Sequence, residues 1–173
     1  MAALTTTISI EEFHARYAGE PGFEYWFGEV VKKKVPTWLH GVLQYLLAEL
    51  FFQHGYFSAS DVDLRISREF QPRPDVVASL DPEPSPYPTK PLEIVAEILS
   101  SEDEKIDEKC QSYADLGISQ IFVFDPAKRS AAEWNHEKKQ LDTVETLVLH
   151  NGSVISVHEI YVLLDKRSAR PSR

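Results

Sequence analysis

The stretch LEIVAEILSSEDEKIDEKCQSYADLGISQIFVF, residues 92–124, decides the fold class of this 173-residue chain. Residues 92–99 are apolar at all but two positions, which indicates a strand that is buried on both faces. Residues 105–116 carry apolar side chains at helical spacing, and Gly117 is the residue type that commonly ends a helix. Residues 121–124 are continuously apolar again. A strand, a helix and a second strand in this order predict a right-handed parallel crossover, and hence an α/β fold.

The residues before this unit predict two helices and a hairpin. Residues 8–17 have Ser9 as the N-cap and Glu12 three positions later, which is the pattern of a capping box. Residues 23–33 read as two short strands around a tight turn. In residues 38–53 the apolar side chains recur at the spacing of a helix face, which predicts a long helix.

The rest of the chain completes a mixed central sheet flanked by helices. A hairpin precedes this sheet at the N-terminal end, and antiparallel strands follow it at the C-terminal end. We expect one domain over residues 8–164 and a basic, disordered tail over residues 165–173. The other predicted elements are strands at 58–66 and 75–79, a proline-rich loop at 81–91, strands at 131–135, 143–149 and 154–157, and a closing helix at 157–164.

Composition and cysteine content are those of a globular domain in a reducing compartment. Hydrophobic residues make up 43% of the chain and charged residues 26%, close to the averages for globular proteins. Cys110 is the only cysteine, so no internal disulfide forms, and we interpret it as a small core residue. No apolar run approaches the ~20 residues that a membrane span needs, and residues 1–8 lack the pattern of a secretory signal. We therefore expect a cytoplasmic protein with no membrane partner.

The net charge of −9 argues against a nucleic-acid partner, because non-specific affinity for DNA comes largely from Lys and Arg side chains on phosphates. Part of the acidic excess lies in residues 97–108, which include six acids. A nuclease site itself concentrates carboxylates. The net charge therefore disfavours DNA as a partner without excluding it.

Two acidic residues fall where a sheet would bury them. Asp75 opens the strand at 75–79 directly after a proline, and Glu97 lies late in the strand at 92–99. A buried carboxylate is costly unless it is paired, hydrogen-bonded or bound to a metal, so either residue alone could belong to a salt bridge. Two of them on neighbouring strands would suit a hard divalent cation. Lys109 follows on the next helix, from which it could orient an attacking water or stabilise a transition state.

Five segments of the chain form an ordered set of motifs. They are RPDVV (73–77), EIVAEILS (93–100), EKCQSYADLGISQIFVFDP (108–126), FEYWFGEVV (23–31) and WLHGVLQYLLAELF (38–51). These segments resemble the Uma-type family of restriction endonucleases, which belongs to the PD-(D/E)XK nuclease superfamily. The resemblance covers roughly residues 8–164, and the order of its motifs is specific. It implies a restriction-endonuclease-like fold and a nuclease activity.

The resemblance also assigns residues to a metal-dependent catalytic site. The family's metal-binding Asp falls on Asp75 and its Glu on Glu97, which implies Mg²⁺ or Mn²⁺ as the cofactor. The catalytic lysine falls on Lys109, as in members whose lysine has moved from the Glu-bearing strand to the next helix. Glu24 matches the acid of the first hairpin and His40 a histidine at the start of the long helix, and both become candidates for the edge of the site. Homodimerisation is expected by analogy with the superfamily.

Several of these residues also have purely structural interpretations. Glu24 and Glu29 could be exposed hairpin carboxylates, His40 could be satisfied by a neighbour near the helix start, and Tyr113 could be a core residue. Residues 32–34, three lysines, could contact phosphate or form a solvated strand end. The chain departs from the family pattern at Ser101-Glu102, where Pro-Ser is usual, and the acids there would repel a phosphate backbone.

Three hypotheses for function follow from these residues. The leading one is a metal-dependent endonuclease that hydrolyses phosphodiester bonds in DNA, with Asp75 and Glu97 on the metal and Lys109 beside the attacking water. Its rival is a catalytically inactive protein that keeps the nuclease fold for binding or regulation, which the net charge favours. The third is an enzyme that acts on a small phosphorylated substrate, which would need no long basic surface.

Overall fold

Eleven strands and four helices make up the part of the chain that the computed structural model describes, residues 7–17, 20–82, 85–100 and 105–169. None of the helices in these residues is long and apolar enough to cross a lipid bilayer. The helices are α1 (Ile10–Tyr17), α2 (Trp38–Gln53), α3 (Ile106–Asp115) and α4 (Val157–Ser168). The strands are β1 (Phe23–Trp26), β2 (Glu29–Lys32), β3 (Phe57–Ser60), β4 (Phe70–Gln71), β5 (Val76–Ser79), β6 (Ile94–Ile98), β7 (Gln120–Asp125), β8 (Ser130–Asn135), β9 (Gln140–Val144), β10 (Thr146–Val148) and β11 (Val154–Ser156).

The largest sheet is mixed and has six strands in the order β3-β5-β6-β7-β8-β9. Its central pair, β6 and β7, is parallel, and Glu97 of β6 lies beside Val123 of β7. The other neighbouring pairs in this sheet are antiparallel. Because α3 connects the two parallel strands, the strand–helix–strand prediction is confirmed, and with it the predicted α/β fold with a mixed central sheet.

Both faces of the six-stranded sheet are covered, and each face builds its own apolar core, because successive strand residues point to opposite faces. Helices α2 and α4 cover one face, while α3 and a smaller sheet cover the other. Cys110 is buried on the α3 side, as predicted. The first core includes Leu47, Phe51, Ile94, Ala96, Phe122, Ile160 and Tyr161, and the second includes Phe70, Val77, Val95, Tyr113 and Ile121.

The smaller sheet has three strands in the order β2-β1-β4. Its hairpin, β1 and β2, was predicted. The hairpin turns at Phe27 and Gly28, whose φ angles are 49° and 93°. Glycine suits the second position because it adopts positive φ angles without steric strain. Strand β4 pairs with β1 through Trp26 opposite Phe70. It was not predicted, because a strand of two residues has no alternation to detect. This sheet carries Glu24 to the α3 side of the larger one.

Most predicted strands differ from the observed ones by one or two residues at their ends, and two of them differ more. The strand predicted at 58–66 ends after Ser60, because the next residue, Asp61, has a φ of 54°, a left-handed conformation that interrupts an extended strand. The strand predicted at 143–149 is two strands, since the chain changes partner at Glu145. Strand β9 pairs with β8 before this residue, and β10 pairs with β11 after it.

The closing helix is longer than predicted, so the prediction of a disordered tail is wrong for residues 165–168. Two basic side chains in the last turn of α4 suit the partial negative charge of a helix C-terminus. Asp165 in the same turn pairs with Arg129 at 2.8 Å. Residues 170–173 of the predicted tail lie outside the described residues.

Candidate active site

Asp75 directly precedes the first residue of β5, and Glu97 lies in the neighbouring strand β6. The antiparallel register of β5 and β6 pairs Val76 with Ala96, and its continuation by one residue sets Asp75 against Glu97. Directly opposed residues point to the same face of a sheet, with Cβ atoms about 5 Å apart. Both side chains are buried, at 3% and 6% exposure. The structure thus brings together the two carboxylates that the sequence suggested as metal ligands.

Three donors surround the Asp75 carboxylate. Its Oδ1 lies 3.0 Å from Lys33 Nζ and 3.3 Å from His40 Nε2, and its Oδ2 accepts a hydrogen bond of 2.8 Å from the Ile98 amide. Burial by itself would raise the pKa of Asp75. The hydrogen bond from His40, the charge of Lys33 and the Ile98 amide outweigh burial, so the pKa lies well below its usual value. Asp75 is therefore ionised at neutral pH.

The Glu97 carboxylate is held from helix α3. Its Oε1 is 3.0 Å from Lys109 Nζ and accepts a hydrogen bond of 2.5 Å from the Tyr113 hydroxyl. Burial raises the pKa of Glu97 to about 7, against the opposing charge of Lys109, and the negative charge of Asp75 adds to the rise. Lys109 and Tyr113 are four residues apart on α3, so one helix face presents both to the same carboxylate.

Lys109 bridges two carboxylates that come from different sheets. Its ammonium group lies 3.2 Å from Glu24 Oε1 as well as 3.0 Å from Glu97. Glu24 in turn accepts hydrogen bonds from the Arg73 amide at 2.8 Å and from Trp26 Nε1 at 3.0 Å. Burial alone would lower the pKa of Lys109, but the two carboxylates raise it above its usual value, so the ammonium stays charged. Glu24 is 2% exposed, so its interpretation as an exposed hairpin carboxylate is wrong.

The sequence did not single out Lys33 or Gln44, which also belong to the cluster. The side chain of Lys33 is only 17% exposed, whereas Lys32 and Lys34 beside it are exposed. The interpretation of the three lysines as a solvated strand end therefore holds for Lys32 and Lys34 but not for Lys33. Gln44 is buried and donates through Nε2 to Asp61 Oδ2 at 2.7 Å and to the Asp75 carbonyl at 2.9 Å. A detectable signal for Gln44 was its position one helical turn after His40, on an otherwise apolar helix face.

The carboxylate oxygens of this cluster are the kind of ligand atom that a hard divalent ion prefers. Mg²⁺ in proteins commonly takes one or two carboxylates and completes its shell with water and substrate phosphate. Asp75 and Glu97 supply two carboxylates on one face. Within the described ranges, no group of three or more His, Cys, Asp or Glu side chains is placed to hold a metal. The acidic residues Glu102, Asp103 and Glu104 lie outside the described part of the chain.

Removal of the Tyr113 hydroxyl tests how the Glu97 carboxylate is held. Tyr113 is fully buried and its hydroxyl donates to Glu97. Above the pKa of Glu97, which is about 7, we expect Tyr113→Phe to lower the free energy of unfolding by about 1.5–3 kcal/mol, the range for a buried hydrogen bond to a charged group. Urea unfolding measures the change. Tyr161→Phe is the control for loss of a buried hydroxyl that donates to backbone carbonyls instead, and we expect a smaller loss there.

Comparison with solved structures supports the assignment of the fold. A protein from Anabaena variabilis ATCC 29413, described as a putative nuclease belonging to DUF820, superposes with a TM-score of 0.77. The match covers 91% of this chain and 99% of that one, at 14% sequence identity. At this identity the likeness shows the fold alone, and it agrees with the predicted restriction-endonuclease-like class.

Comparison with protein-family models assigns the chain to a family, which similarity of fold alone cannot do. No curated protein matches the chain. The model of the Uma2 family, described as "Putative restriction endonuclease", matches residues 10–163. The match includes all five residues that the sequence put forward for the site, Glu24, His40, Asp75, Glu97 and Lys109. The chain belongs to the Uma2 family.

Proposed function

We propose that this protein is a Mg²⁺- or Mn²⁺-dependent endonuclease that hydrolyses phosphodiester bonds in DNA. The observation that carries the proposal is the pair of buried carboxylates, Asp75 directly before β5 and Glu97 in the neighbouring β6, with the Lys109 ammonium 3.0 Å from Glu97. Membership of a family described as restriction endonucleases supports the same reaction class.

The site residues divide into metal-holding and positioning groups. Asp75 and Glu97 would hold the ion, which supplies a lowered pKa for the attacking water and offsets charge on the phosphate. Because its pKa is raised, Lys109 stays protonated and acts as a charged hydrogen-bond donor to the water or to a phosphate oxygen, not as a base. Glu24 fixes the Lys109 ammonium from the opposite side. His40 holds the Asp75 carboxylate from helix α2.

The assignment of DNA as substrate comes from the family and has to be reconciled with the net charge of −9. Each site carboxylate faces a lysine, so the site itself is closer to neutral than the chain as a whole. A homodimer, expected by analogy with the superfamily, would present two such sites to a duplex. Light scattering of the purified protein measures the oligomeric state.

Calorimetric titration of Mn²⁺ and Mg²⁺, with plasmid nicking assayed on the same samples, tests the proposal. We expect wild type to bind the ions and to nick DNA, and Asp75→Ala to lose at least about tenfold in metal affinity together with nicking. Asp165→Ala is the matched control, because Asp165 is an exposed, ion-paired carboxylate on α4, on the other face of the sheet. Undiminished metal binding and nicking by Asp75→Ala would contradict the assignment of the site.

One observation favours a second candidate, a nuclease-fold protein that binds without cutting. Both proposed metal ligands already have an internal cation, Lys33 on Asp75 and Lys109 on Glu97. Such pairs satisfy buried carboxylates without any metal. Failure of the wild-type protein to bind either ion in the calorimeter would favour this candidate. Binding without nicking would instead point to a specialised substrate.

A further inference from the structure

The ammonium group of Lys33 occupies an all-oxygen environment inside the candidate site. Its Nζ lies 2.7 Å from the Arg73 carbonyl oxygen, 3.0 Å from Asp75 Oδ1 and 3.3 Å from Asp61 Oδ1. The Lys33 side chain is largely buried, and it reaches the cluster from the end of β2, on the smaller sheet. Carboxylate and carbonyl oxygens are also the ligands that hard divalent ions prefer.

Lys33 and a divalent ion cannot share Asp75 Oδ1 without strong repulsion. A Mg²⁺–oxygen bond is about 2.1 Å long, and the ammonium lies 3.0 Å from the same oxygen. The two cations would then be at most about 5 Å apart in a buried site, where charges are poorly screened. This repulsion favours withdrawal of Lys33 from Asp75 when an ion binds this oxygen.

Asp61 offers Lys33 a second position. Its side chain is 55% exposed and already lies 3.3 Å from Nζ, so the ammonium can turn toward solvent without losing this carboxylate. Lys109 has no exposed carboxylate among these partners toward which it could turn, because both Glu97 and Glu24 are buried. Of the two lysines in the site, Lys33 is the one placed to move.

We propose that Lys33 is a built-in cation that competes with the divalent metal ion for Asp75, and that metal binding moves its ammonium group from Asp75 to Asp61. The inference rests on the proposed function, because it takes Asp75 as a metal ligand. It goes further by assigning a role to Lys33: the lysine compensates Asp75 while no metal is bound and weakens the affinity of the site for the ion.

Variants of Lys33 and of its exposed neighbour Lys32 test the competition. Calorimetry with Mn²⁺ alone is the readout, so no nuclease activity is needed. We expect Lys33→Met to bind Mn²⁺ at least about tenfold more tightly than wild type, since the competing charge is gone. Lys32→Met makes the same substitution at an exposed position and is expected to bind within about twofold of wild type, since exposed charges are screened. Lys33→Arg keeps the charge and is expected to bind no more tightly than wild type.

The outcomes separate this inference from the proposed function. If Lys33→Met binds Mn²⁺ no more tightly than wild type while Asp75→Ala loses binding, the competition is refuted and the metal assignment stands. If Asp75→Ala binds as wild type does, or if neither wild type nor Lys33→Met binds Mn²⁺, both fail. Equal tightening by Lys32→Met would attribute the effect to net charge and would also overturn the inference.

A measurement on the wild-type protein avoids dependence on the folding of any variant. Acetylation of lysines by a water-soluble reagent, read out by peptide mass spectrometry, reports how accessible each ammonium is. We expect saturating Mn²⁺ to accelerate acetylation of Lys33 severalfold and to leave Lys32, already exposed, unchanged. Mn²⁺ binding without a faster reaction at Lys33 would show that the lysine does not move, and would overturn the inference.

Discussion

Lys109→Met is expected to destabilise the protein by about 3–5 kcal/mol, the usual cost of removing one partner from a buried ion pair. Lys109 is the ammonium partner of two buried carboxyl groups, Glu24 and Glu97, which are 2% and 6% exposed. Methionine keeps much of the length of the side chain but supplies no charge, so both carboxylates would be left unpaired in the interior. In the fraction that folds, we expect nicking to fall by about 10²–10⁴, the range for loss of a group that assists proton transfer or charge stabilisation.

Lys105→Met is the matched control for this variant. Lys105 lies one turn before Lys109 at the start of α3 and is exposed, and we expect its replacement to change stability by less than about 0.5 kcal/mol. Urea unfolding measures both variants. Addition of Glu24→Gln to Lys109→Met should recover part of the loss, because it removes one of the unpaired charges. A loss no larger than that of Lys105→Met would show that Lys109 does not neutralise the buried carboxylates.

Phe51→Ala is expected to cost about 3–5 kcal/mol, the range for removal of a buried phenyl ring. Phe51 is 0% exposed and packs in the core between α2 and the six-stranded sheet. Its neighbour Phe52 lies on the same helix and is 65% exposed, so Phe52→Ala removes the same atoms from the surface and should cost less than about 0.5 kcal/mol.

Thermal or urea unfolding of the two phenylalanine variants decides whether helix α2 is oriented as described. The helix presents His40 and Gln44 to the candidate site, so its rotation about its own axis matters for function as well as for stability. Equal losses at the two positions, or the larger loss at Phe52, would mean that the helix is rotated from the described orientation. The same result would remove the support for His40 as a site residue.

Periodicity predicted the elements that are long enough to repeat. The helix over 38–53 and the strand–helix–strand unit over 92–124 were predicted because several turns or a continuous apolar run lie within each. Strand β4 has two residues and leaves no pattern. The end of β3 depends on the positive φ of Asp61, a conformation that the side chain permits but that no neighbouring residue signals.

Two residues of the candidate site were predictable from the residue pattern itself. Lys109 was put forward from its place on the next helix and through the family resemblance, and Glu24 and His40 through the resemblance alone. Asp75 and Glu97 stood out because each carries a carboxylate within an apolar strand. Lys33 did not, because its partner Asp75 is 42 residues away and its two lysine neighbours made the whole run look solvated. The bridge from Lys109 to Glu24 spans 85 residues, and no local pattern specifies a contact of that range.

The division of the site between two sheets has a consequence for assembly. Lys33 and Glu24 arrive on the smaller sheet, and their partners, Asp75 and Lys109, belong to the six-stranded sheet and to the helix that covers it. A slip of one residue in the smaller sheet would turn Lys33 and Glu24 to the opposite side and leave both partners uncompensated. These ion pairs therefore favour a single alignment of the smaller sheet on the six-stranded sheet. A substitution at any of these four side chains would disturb the docking of the two sheets as well as the candidate site.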